Sequence, residues 1–207
     1  MENFSAIRKV VGEKTLLGVD ANCGWHLSDA KRAIRAMAEH KLDYVEQPIA
    51  RTDLGGLVAL REVMDGIPLM ADESLVTLHD AYELARARAV DVFCIKLYKV
   101  GGLRRAKKIA AIAEVSGTRL NVGGLAAYSQ LEAAAAAHFY ASTPPEQMMP
   151  AAEFLFGVGA IGPDPLVAES DFVAKDGHVT PPSRPGLGIE IDEKRLAQHT
   201  LRRERIG

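Results

Sequence analysis

The sequence predicts an α/β fold in which parallel strands curve into a barrel, and two observations lead to this prediction. Short apolar runs of strand type alternate with amphipathic helices of 10 to 15 residues, the pattern of strand–helix–strand units with parallel strands. The ends of the runs also recur regularly: six positions that carry acids, a lysine or a glycine are separated by 26, 26, 24, 27 and 30 residues. Such a repeat is typical of a (β/α) barrel, whose eight units occupy roughly 250 residues.

Six strands are predicted, each from a short run of apolar residues. The first, TLLGVD, ends at Asp20, and the turn residues Asn22 and Gly24 follow it. The second, DYVEQP, ends at Pro48, which has no N–H group to offer a sheet. In chain order the strands are expected at residues 15–20, 43–48, 67–74, 92–97, 118–124 and 151–157.

Helices are predicted between these strands because apolar residues recur there at helical spacing. Ser28 is the expected N-cap of the first, and Thr77 and Asp80 occupy N-terminal positions of the third. The five helices are expected at residues 28–41, 54–64, 77–89, 103–115 and about 127–141. An open, doubly wound sheet is the alternative arrangement of the same units. Such a sheet usually carries a glycine-rich nucleotide loop after its first strand, and this sequence has none there.

The composition is that of an ordinary globular protein, with 207 residues that are 48% apolar and 25% charged. The net charge of −2 and the lack of a basic block argue against a nucleic-acid partner. No membrane association is expected, because no apolar run approaches the roughly 18 residues of a spanning helix. The two cysteines suit a cytoplasmic protein in a reducing compartment. Cys94 is interpreted as a core residue, and Cys23 as a packing residue, with a position near a site beside Asp20 as the alternative.

Three consecutive strands are predicted to end on carboxylates: Asp20, Glu46 and Asp72. The carboxyl ends of the strands meet on the active face of a parallel barrel. Any one of these acids alone could equally be a helix cap or a surface ion pair. Three neighbouring carboxylates, however, cannot all stay ionised without a cation, and an all-oxygen ligand set suits Mg²⁺ or Mn²⁺ better than zinc. The pattern therefore predicts a metal site.

Lys96 ends the fourth strand and is expected to stand beside these acids. A lysine on a barrel strand is partly desolvated, which suits a general acid or base. Lys99 lies three residues later, where the sequence predicts a solvated loop residue with at most an auxiliary role.

Taken in order, these motifs resemble the enolase superfamily, and in particular its muconate lactonizing enzyme subgroup. The matching segments cover nearly the whole chain: VDAN, VEQP, ADES, IKLYKVGG, the strand end at Gly123–Gly124, AAEFLFG and PGLGIEID. The resemblance implies a TIM-type (β/α)7β barrel, incomplete here, with about six of eight strands in residues 1–192 and a basic tail at 193–207. The family's N-terminal capping domain and its earlier strands, one with a Lys-x-Lys pair, have no counterpart in this sequence.

The resemblance also implies roles for individual residues. The metal ligands would be Asp20, Glu46 and Asp72. The residues that surround these ligands would be Asn22 and Glu73. The catalytic residues would be Lys96, as acid or base on one face of the substrate, and Glu153, as a carboxylate beside it.

The function implied by the resemblance is that of an Mg²⁺-dependent isomerase or lyase. It would abstract or donate the α-proton of a small carboxylate substrate through a metal-stabilised enediolate. Cycloisomerase and racemase or epimerase activity both stay open, although a racemase needs a base on each face of the substrate. The alternative is a catalytically silent barrel fragment that acts only as a structural partner. An incomplete barrel exposes strand edges, so we expect either a homo-oligomer or edges covered by residues 1–14 and the C-terminal tail.

Overall fold

A six-stranded sheet organises the protein. The computed structural model describes residues 2–124, 129–152, 164–167, 172 and 174–204. The six strands follow each other across the sheet in chain order, and the first four pair in parallel. Parallel strands in chain order with helices between them form part of a (β/α) barrel, as the sequence predicts.

Of the six strands, the first five are shorter than the apolar runs that predict them, since three or four residues of each belong to the sheet, and the sixth begins three residues before its predicted start. They are β1 (Gly18–Asp20), β2 (Tyr44–Glu46), β3 (Leu69–Ala71), β4 (Val92–Ile95), β5 (Arg119–Val122) and β6 (Met148–Ala152). Beyond this sheet, two further strands form an antiparallel pair, β7 (Ala174–Lys175) and β8 (His178–Val179).

The described part of the chain has eight helices: the five that the spacing predicts between the strands, α1 before the first strand, and α5 and α8. They are α1 (Glu2–Val11), α2 (Leu27–Ala38), α3 (Leu54–Met64), α4 (Leu78–Arg86), α5 (Leu97–Val100), α6 (Leu103–Ser116), α7 (Gln130–Ala141) and α8 (Glu193–His199). A 3₁₀ turn at Pro145–Gln147 leads into β6. Within the described ranges, no helix combines the length and the apolar character that crossing a membrane requires.

The chain divides into two compact units. The first consists of Met1–Ile95, Lys99–Asn121 and Pro145–Ala151, and the second of Lys96–Tyr98, Val122–Pro144 and Ala152–Gly207. The first unit therefore holds β1 to β4 and most of β5 and β6.

In the second unit, Asp164 holds the start of α7. Its carboxylate accepts hydrogen bonds from the backbone N–H of Gln130 at 2.5 Å and from the hydroxyl of Ser129 at 3.2 Å. Arg195 of α8 donates to the carbonyl oxygens of Asp164 and Val167, at 2.9 and 2.8 Å. Part of the segment that the sequence assigns to a basic tail is thus helical and bonded to this unit.

The core of the first unit covers both faces of the sheet. All four residues of β4 are buried, as expected for a parallel strand packed on each side. On the inner face a cluster forms from Met70, Val92, Cys94 and Met149, with Tyr44 packed against it. Gly18 is the register partner of Tyr44, and a Cβ atom there would lie 2.2 Å from the tyrosine ring. The glycine therefore makes room for that ring inside the sheet.

Two similar ion pairs hold the amino-terminal ends of the strands. Asp43, just before β2, accepts hydrogen bonds from the backbone N–H of Leu17 at 2.8 Å and from Arg8 of α1 at 2.5 Å. Asp91, just before β4, does the same two repeats later: it accepts from the first backbone N–H of β3 at 2.9 Å and pairs with Arg61 of α3. Each pair joins a helix, the strand after it and the next strand.

Two helix starts test the expected N-caps. At α4 the Thr77 hydroxyl accepts from the Asp80 backbone N–H at 3.1 Å, and the Asp80 carboxylate accepts from the Thr77 N–H at 2.7 Å. This capping box agrees with the prediction. The expected cap at Ser28 is wrong, because the backbone is still extended at His26 and the helix begins at Leu27.

Candidate metal centre

The three predicted metal ligands lie at one edge of the parallel sheet. Asp20 and Glu46 are the last residues of β1 and β2, and their Cα atoms are register partners. Asp72 directly follows β3. Glu46 and Asp72 are buried, with 1% and 4% of their surface exposed, whereas Asp20 is exposed. The edge thus carries a buried pair of acids and an exposed third acid.

The buried pair shares its space with a cysteine. One carboxylate oxygen each of Glu46 and Asp72 and the sulfur of Cys94 lie within 4.8 Å of one another. Asp20 does not belong to this group. Cys94 packs in the inner-face core as the sequence predicts, but its position beside the acids is not anticipated. Cys94 lies two residues before Lys96 on a strand, and this spacing could have indicated that both face the interior.

The turn after Asp20 is hydrogen-bonded to the turn after Glu46. Three backbone N–H···O=C hydrogen bonds join them: Ala21 to Glu46 at 3.2 Å, Cys23 to Gln47 at 2.8 Å and Trp25 to Pro48 at 3.0 Å. The Asp20 carboxylate accepts from the N–H of Asn22 at 2.9 Å, and Asn22 and Cys23 take left-handed backbone angles, with φ of 44° and 63°. The segment VDANCGW therefore continues the pairing of β1 with β2 past the acids.

Gln47 braces the buried pair, a role that the sequence analysis does not identify. Its side chain is completely buried. Its carbonyl oxygen accepts from the backbone N–H groups of Asp72 and Ser74 at 3.0 and 3.1 Å, and its amide nitrogen donates to the Ser74 hydroxyl at 2.8 Å and the Ile49 carbonyl at 3.0 Å. Since Gln47 is adjacent to Glu46, this amide connects the backbone positions of both acids.

Lys99 is not the solvated loop residue that the sequence predicts, and this expectation is wrong. It belongs to α5, and its side chain is only 11% exposed. The ammonium group donates to the Asp72 carboxylate, to the Asp72 carbonyl at 2.7 Å and to the Cys94 carbonyl at 2.9 Å. The short helix after β4 turns the chain back, so that this lysine supplies a positive charge to the buried pair.

The negative charge at this edge also acts on Cys23. Burial raises the pKa of the Cys23 thiol, the charge of Glu73 raises it further, and Asp72 and Asp20 add smaller increases. A hydrogen bond with the backbone of Arg51 acts in the opposite direction. Acids from the end of β1 and from the loop after β3 therefore act together on the half-buried Cys23.

The remaining predicted site residues are placed as follows. Asn22 lies in the turn after β1, and Glu73 is half-buried in the loop after β3. Lys96 directly follows β4, is half-buried, and belongs to the second unit. Glu153 lies outside the described residues. The roles assigned to these residues stay predictions.

The residues at this edge fit a hard divalent cation. Two buried carboxylates at close range repel each other unless a positive charge balances them, and Lys99 supplies one such charge. Carboxylate oxygens are the ligands that Mg²⁺ and Mn²⁺ prefer. The exposed Asp20 could complete an all-oxygen set at the open side of the pair.

Comparison with known proteins gives consistent matches. The family model described as Enolase C-terminal domain-like matches residues 1–195. A chloromuconate cycloisomerase from Cupriavidus necator is 38% identical over 203 residues, which are 97% of this chain and 52% of that protein. An L-Ala-D/L-Glu epimerase from Bacillus subtilis is 44% identical over 138 residues, which are 66% of this chain and 37% of that protein.

Solved structures show the same likeness. The muconate lactonizing enzyme from Pseudomonas putida superposes with a TM-score of 0.83 at 32% identity, over 95% of this chain and 53% of that one. The cycloisomerase and the lactonizing enzyme match nearly the whole of this chain. The chain itself spans only about half of their length.

Proposed function

Because the chain belongs to the enolase C-terminal domain-like family, we propose that it forms the barrel part of a metal-dependent isomerase that acts on a small carboxylate. One observation carries this proposal: the buried acids Glu46 and Asp72 lie together at the carboxyl edge of a parallel sheet. A structural fragment has no need to keep two carboxylates in contact away from water, because their repulsion destabilises the fold.

In this proposal the metal is Mg²⁺, and its ligands are Asp20, Glu46 and Asp72. When bound, Mg²⁺ supplies a Lewis acid for the negative charge that develops on the substrate's carboxylate. Gln47 keeps the two buried ligands in place through its bonds to the loop after β3.

The proposed proton carrier is Lys96. It removes or returns the proton at the α-carbon of the substrate, on the face toward the end of β4. Glu153 stands beside the substrate as a carboxylate, and Asn22 and Glu73 surround the metal ligands. These roles follow from the family motifs and from the strand ends at which Lys96 and the acids lie.

Cycloisomerisation is the first candidate reaction. The relatives that align with 97% of this chain are named chloromuconate and muconate cycloisomerases, whereas the dipeptide epimerase aligns with 66%. One-base chemistry of this kind needs only Lys96 from the described chain, while epimerisation needs a second base on the opposite face of the substrate.

We further propose a cytoplasmic homo-oligomer. Neither cysteine forms a disulfide, which suits a reducing compartment. β1 and β6 are the outer strands of the sheet, and exposed strand edges promote pairing between chains. Light scattering on the purified chain should therefore give a mass above that of one 22.3 kDa chain, and a stable monomer would contradict this part of the proposal.

The test of the main proposal separates metal binding from chemistry. Mg²⁺ binding is measured by calorimetry for the native chain, Asp72→Asn and the surface control Asp29→Asn. Asp72→Asn should weaken Mg²⁺ at least about tenfold, equivalent to roughly 1.4 kcal/mol, and the control should match the native chain.

Proton chemistry is followed by NMR in deuterated water with Mg²⁺ and with muconate-type and dipeptide substrates. Lys96→Ala should abolish deuterium incorporation at the α-carbon while Mg²⁺ binding is kept. The matched control is Lys31→Ala, which removes a surface lysine paired with Glu62. A native chain that neither binds Mg²⁺ nor catalyses exchange would favour the silent structural fragment instead.

A further inference from the structure

We propose that Glu46, Asp72 and Cys94 form a binding site for thiophilic divalent cations such as Zn²⁺ and Cd²⁺. All three side chains are buried, with 1%, 4% and 0% of their surface exposed. Their three potential ligand atoms, two carboxylate oxygens and one sulfur, lie within 4.8 Å of one another. The inference rests on this geometry and does not require the proposed isomerase activity.

The distances suit one small ion. Zinc binds thiolate sulfur at about 2.3 Å and carboxylate oxygen at about 2.0–2.2 Å in tetrahedral geometry, so two of its ligand atoms are roughly 3.5 Å apart. The three atoms lie within 4.8 Å of one another, and they therefore need to close by at most about 1.3 Å to share one ion. Such a shift is within reach of side-chain rotation at Glu46 and Asp72.

The sulfur decides which ions the site prefers. Thiolate ligands favour zinc and other soft cations, whereas Mg²⁺ takes oxygen ligands. Glu46 and Asp72 are common to both sets, but the third ligand differs: the exposed Asp20 completes an oxygen set, and the buried Cys94 completes a sulfur-containing set. A soft cation at Cys94 would therefore compete with Mg²⁺ for the same two acids.

A second observation on the inner face supports a ligand there. Asn121 is completely buried, and its amide nitrogen donates to the sulfur of Met70 at 3.5 Å. Its carbonyl oxygen has no hydrogen-bond partner among the described residues, although buried amide oxygens are nearly always bonded. Met70 packs in the same cluster as Cys94. The Asn121 oxygen is thus placed to accept a hydrogen bond from a water molecule on an ion held by Cys94.

Lys99 is compatible with this site. It bonds one oxygen of Asp72, and the site needs only one oxygen from each carboxylate. Its other bonds go to backbone carbonyls, so the ammonium group stays in place when the ion binds and offsets part of the negative charge.

The two cysteines of the chain provide a matched pair of variants. Cys94→Ser removes the proposed ligand, and Cys23→Ser removes a half-buried thiol that lies near the same acids but outside the cluster. The metal-free chain is titrated with Cd²⁺ alone, and the ultraviolet charge-transfer absorption of a Cd²⁺–thiolate bond is recorded. Calorimetry gives the Cd²⁺ and Mg²⁺ affinities of each variant, and circular dichroism confirms folding.

The native chain and Cys23→Ser should both show the absorption with one Cd²⁺ per chain. Cys94→Ser should lose the absorption and bind Cd²⁺ at least about tenfold more weakly, with Mg²⁺ affinity within about twofold of native. Absorption that persists in Cys94→Ser, or disappears in Cys23→Ser, would assign the ligand to Cys23 and overturn the proposal. No absorption in the native chain would overturn it as well.

Zinc-edge X-ray absorption on the native chain keeps the proposal testable if Cys94→Ser fails to fold. One sulfur at about 2.3 Å is expected, and a shell of oxygen and nitrogen alone would contradict it. The two proposals fail separately: loss of Mg²⁺ binding or proton exchange bears only on the isomerase, and loss of the cadmium signal bears only on Cys94.

Discussion

The two ends of the strands in the first unit place their acids in different surroundings. At the amino-terminal end, Asp43 and Asp91 each accept a backbone N–H and pair with an arginine. At the carboxyl end, ligand atoms of Glu46, Asp72 and a cysteine lie within 4.8 Å of one another, and Lys99 donates to the Asp72 carboxylate. One end neutralises each acid separately, while the other concentrates negative charge.

This difference shows that charge, and not cavity size, marks the candidate site. A cavity of about 680 Å³ lies at the amino-terminal end, and its lining includes Asp43, Arg61 and Asp91. Two of these side chains pair with each other and the third pairs with Arg8, so each of these two acids already has an arginine partner. Barrels bind their substrates at the carboxyl end, where this chain retains an excess of carboxylate over ammonium.

The largest effect is expected at the amino-terminal end, from Arg8→Met. Arg8 is 4% exposed, and it donates to Asp43 and to the carbonyl oxygens of Gly12, Thr15 and Lys41. Its removal leaves three carbonyl groups without this donor and leaves the half-buried Asp43 carboxylate with only the Leu17 N–H as a donor among the described residues. The free energy of unfolding, measured in urea, should fall by about 3–5 kcal/mol.

The control for Arg8 is Arg32→Met, which removes an arginine from an exposed pair with Asp29 on α2. Exposed pairs contribute about 0–1 kcal/mol, so this variant should unfold close to the native chain. Equal losses in the two variants would mean that the amino-terminal pair does not stabilise the sheet.

Lys99→Met should cost about 3 kcal/mol in the absence of metal, because the buried Asp72 carboxylate then loses the ammonium group of Lys99. Adding Mg²⁺ should distinguish the carboxyl end from the amino-terminal end, because only the carboxyl end is proposed to bind the ion. A cation at Glu46 and Asp72 replaces the missing positive charge, so the difference from the native chain should shrink to below about 1 kcal/mol at saturating Mg²⁺.

Arg8→Met is the matched control for this rescue. Mg²⁺ should raise its stability by the same amount as that of the native chain, about 2.7 kcal/mol at one hundred times Kd, so its deficit persists. Rescue of both variants, or of neither, would remove the distinction between the two ends.

Gln47→Leu should have an intermediate effect, with a loss of about 2 kcal/mol. The leucine leaves the backbone N–H groups of Asp72 and Ser74 without their acceptor, and buried unsatisfied donors cost about 1–3 kcal/mol. Mg²⁺ affinity should fall by about 10–100-fold, as for other residues that orient ligands. Gln198→Leu, on the exposed side of α8, should change neither quantity.

The strand ends could be predicted from the sequence because they are local and repeated. Asp20 and Glu46 end their strands, and Asp72, Lys96 and Gly123 follow theirs directly, so near-constant spacing located each within one residue. A parallel sheet then brings these positions to one edge without further information.

The partners of these residues could not be predicted in the same way. Gln47 and Lys99 reach Asp72 from 25 and 27 residues away, and Cys94 meets the acids because the inner faces of neighbouring strands converge. These contacts depend on the direction of the side chains and on short connecting elements such as α5. The spacing of apolar residues predicts neither. The sequence therefore predicted the frame of the candidate site and missed the residues that brace it and balance its charge.

The smallest predicted effect lies outside both ends of the sheet, at the helix starts. Thr77→Ala removes half of a capping box and should lower the free energy of unfolding by about 1 kcal/mol. Ser28→Ala should cost less than about 0.5 kcal/mol, because Ser28 is inside the first turn of α2 and caps nothing. Neither variant should alter Mg²⁺ affinity, since neither side chain is proposed to hold or orient the acids. A loss of Mg²⁺ binding in Thr77→Ala would show that α4 positions Asp72, and the contrast between the two ends would then have to include the helix that follows β3.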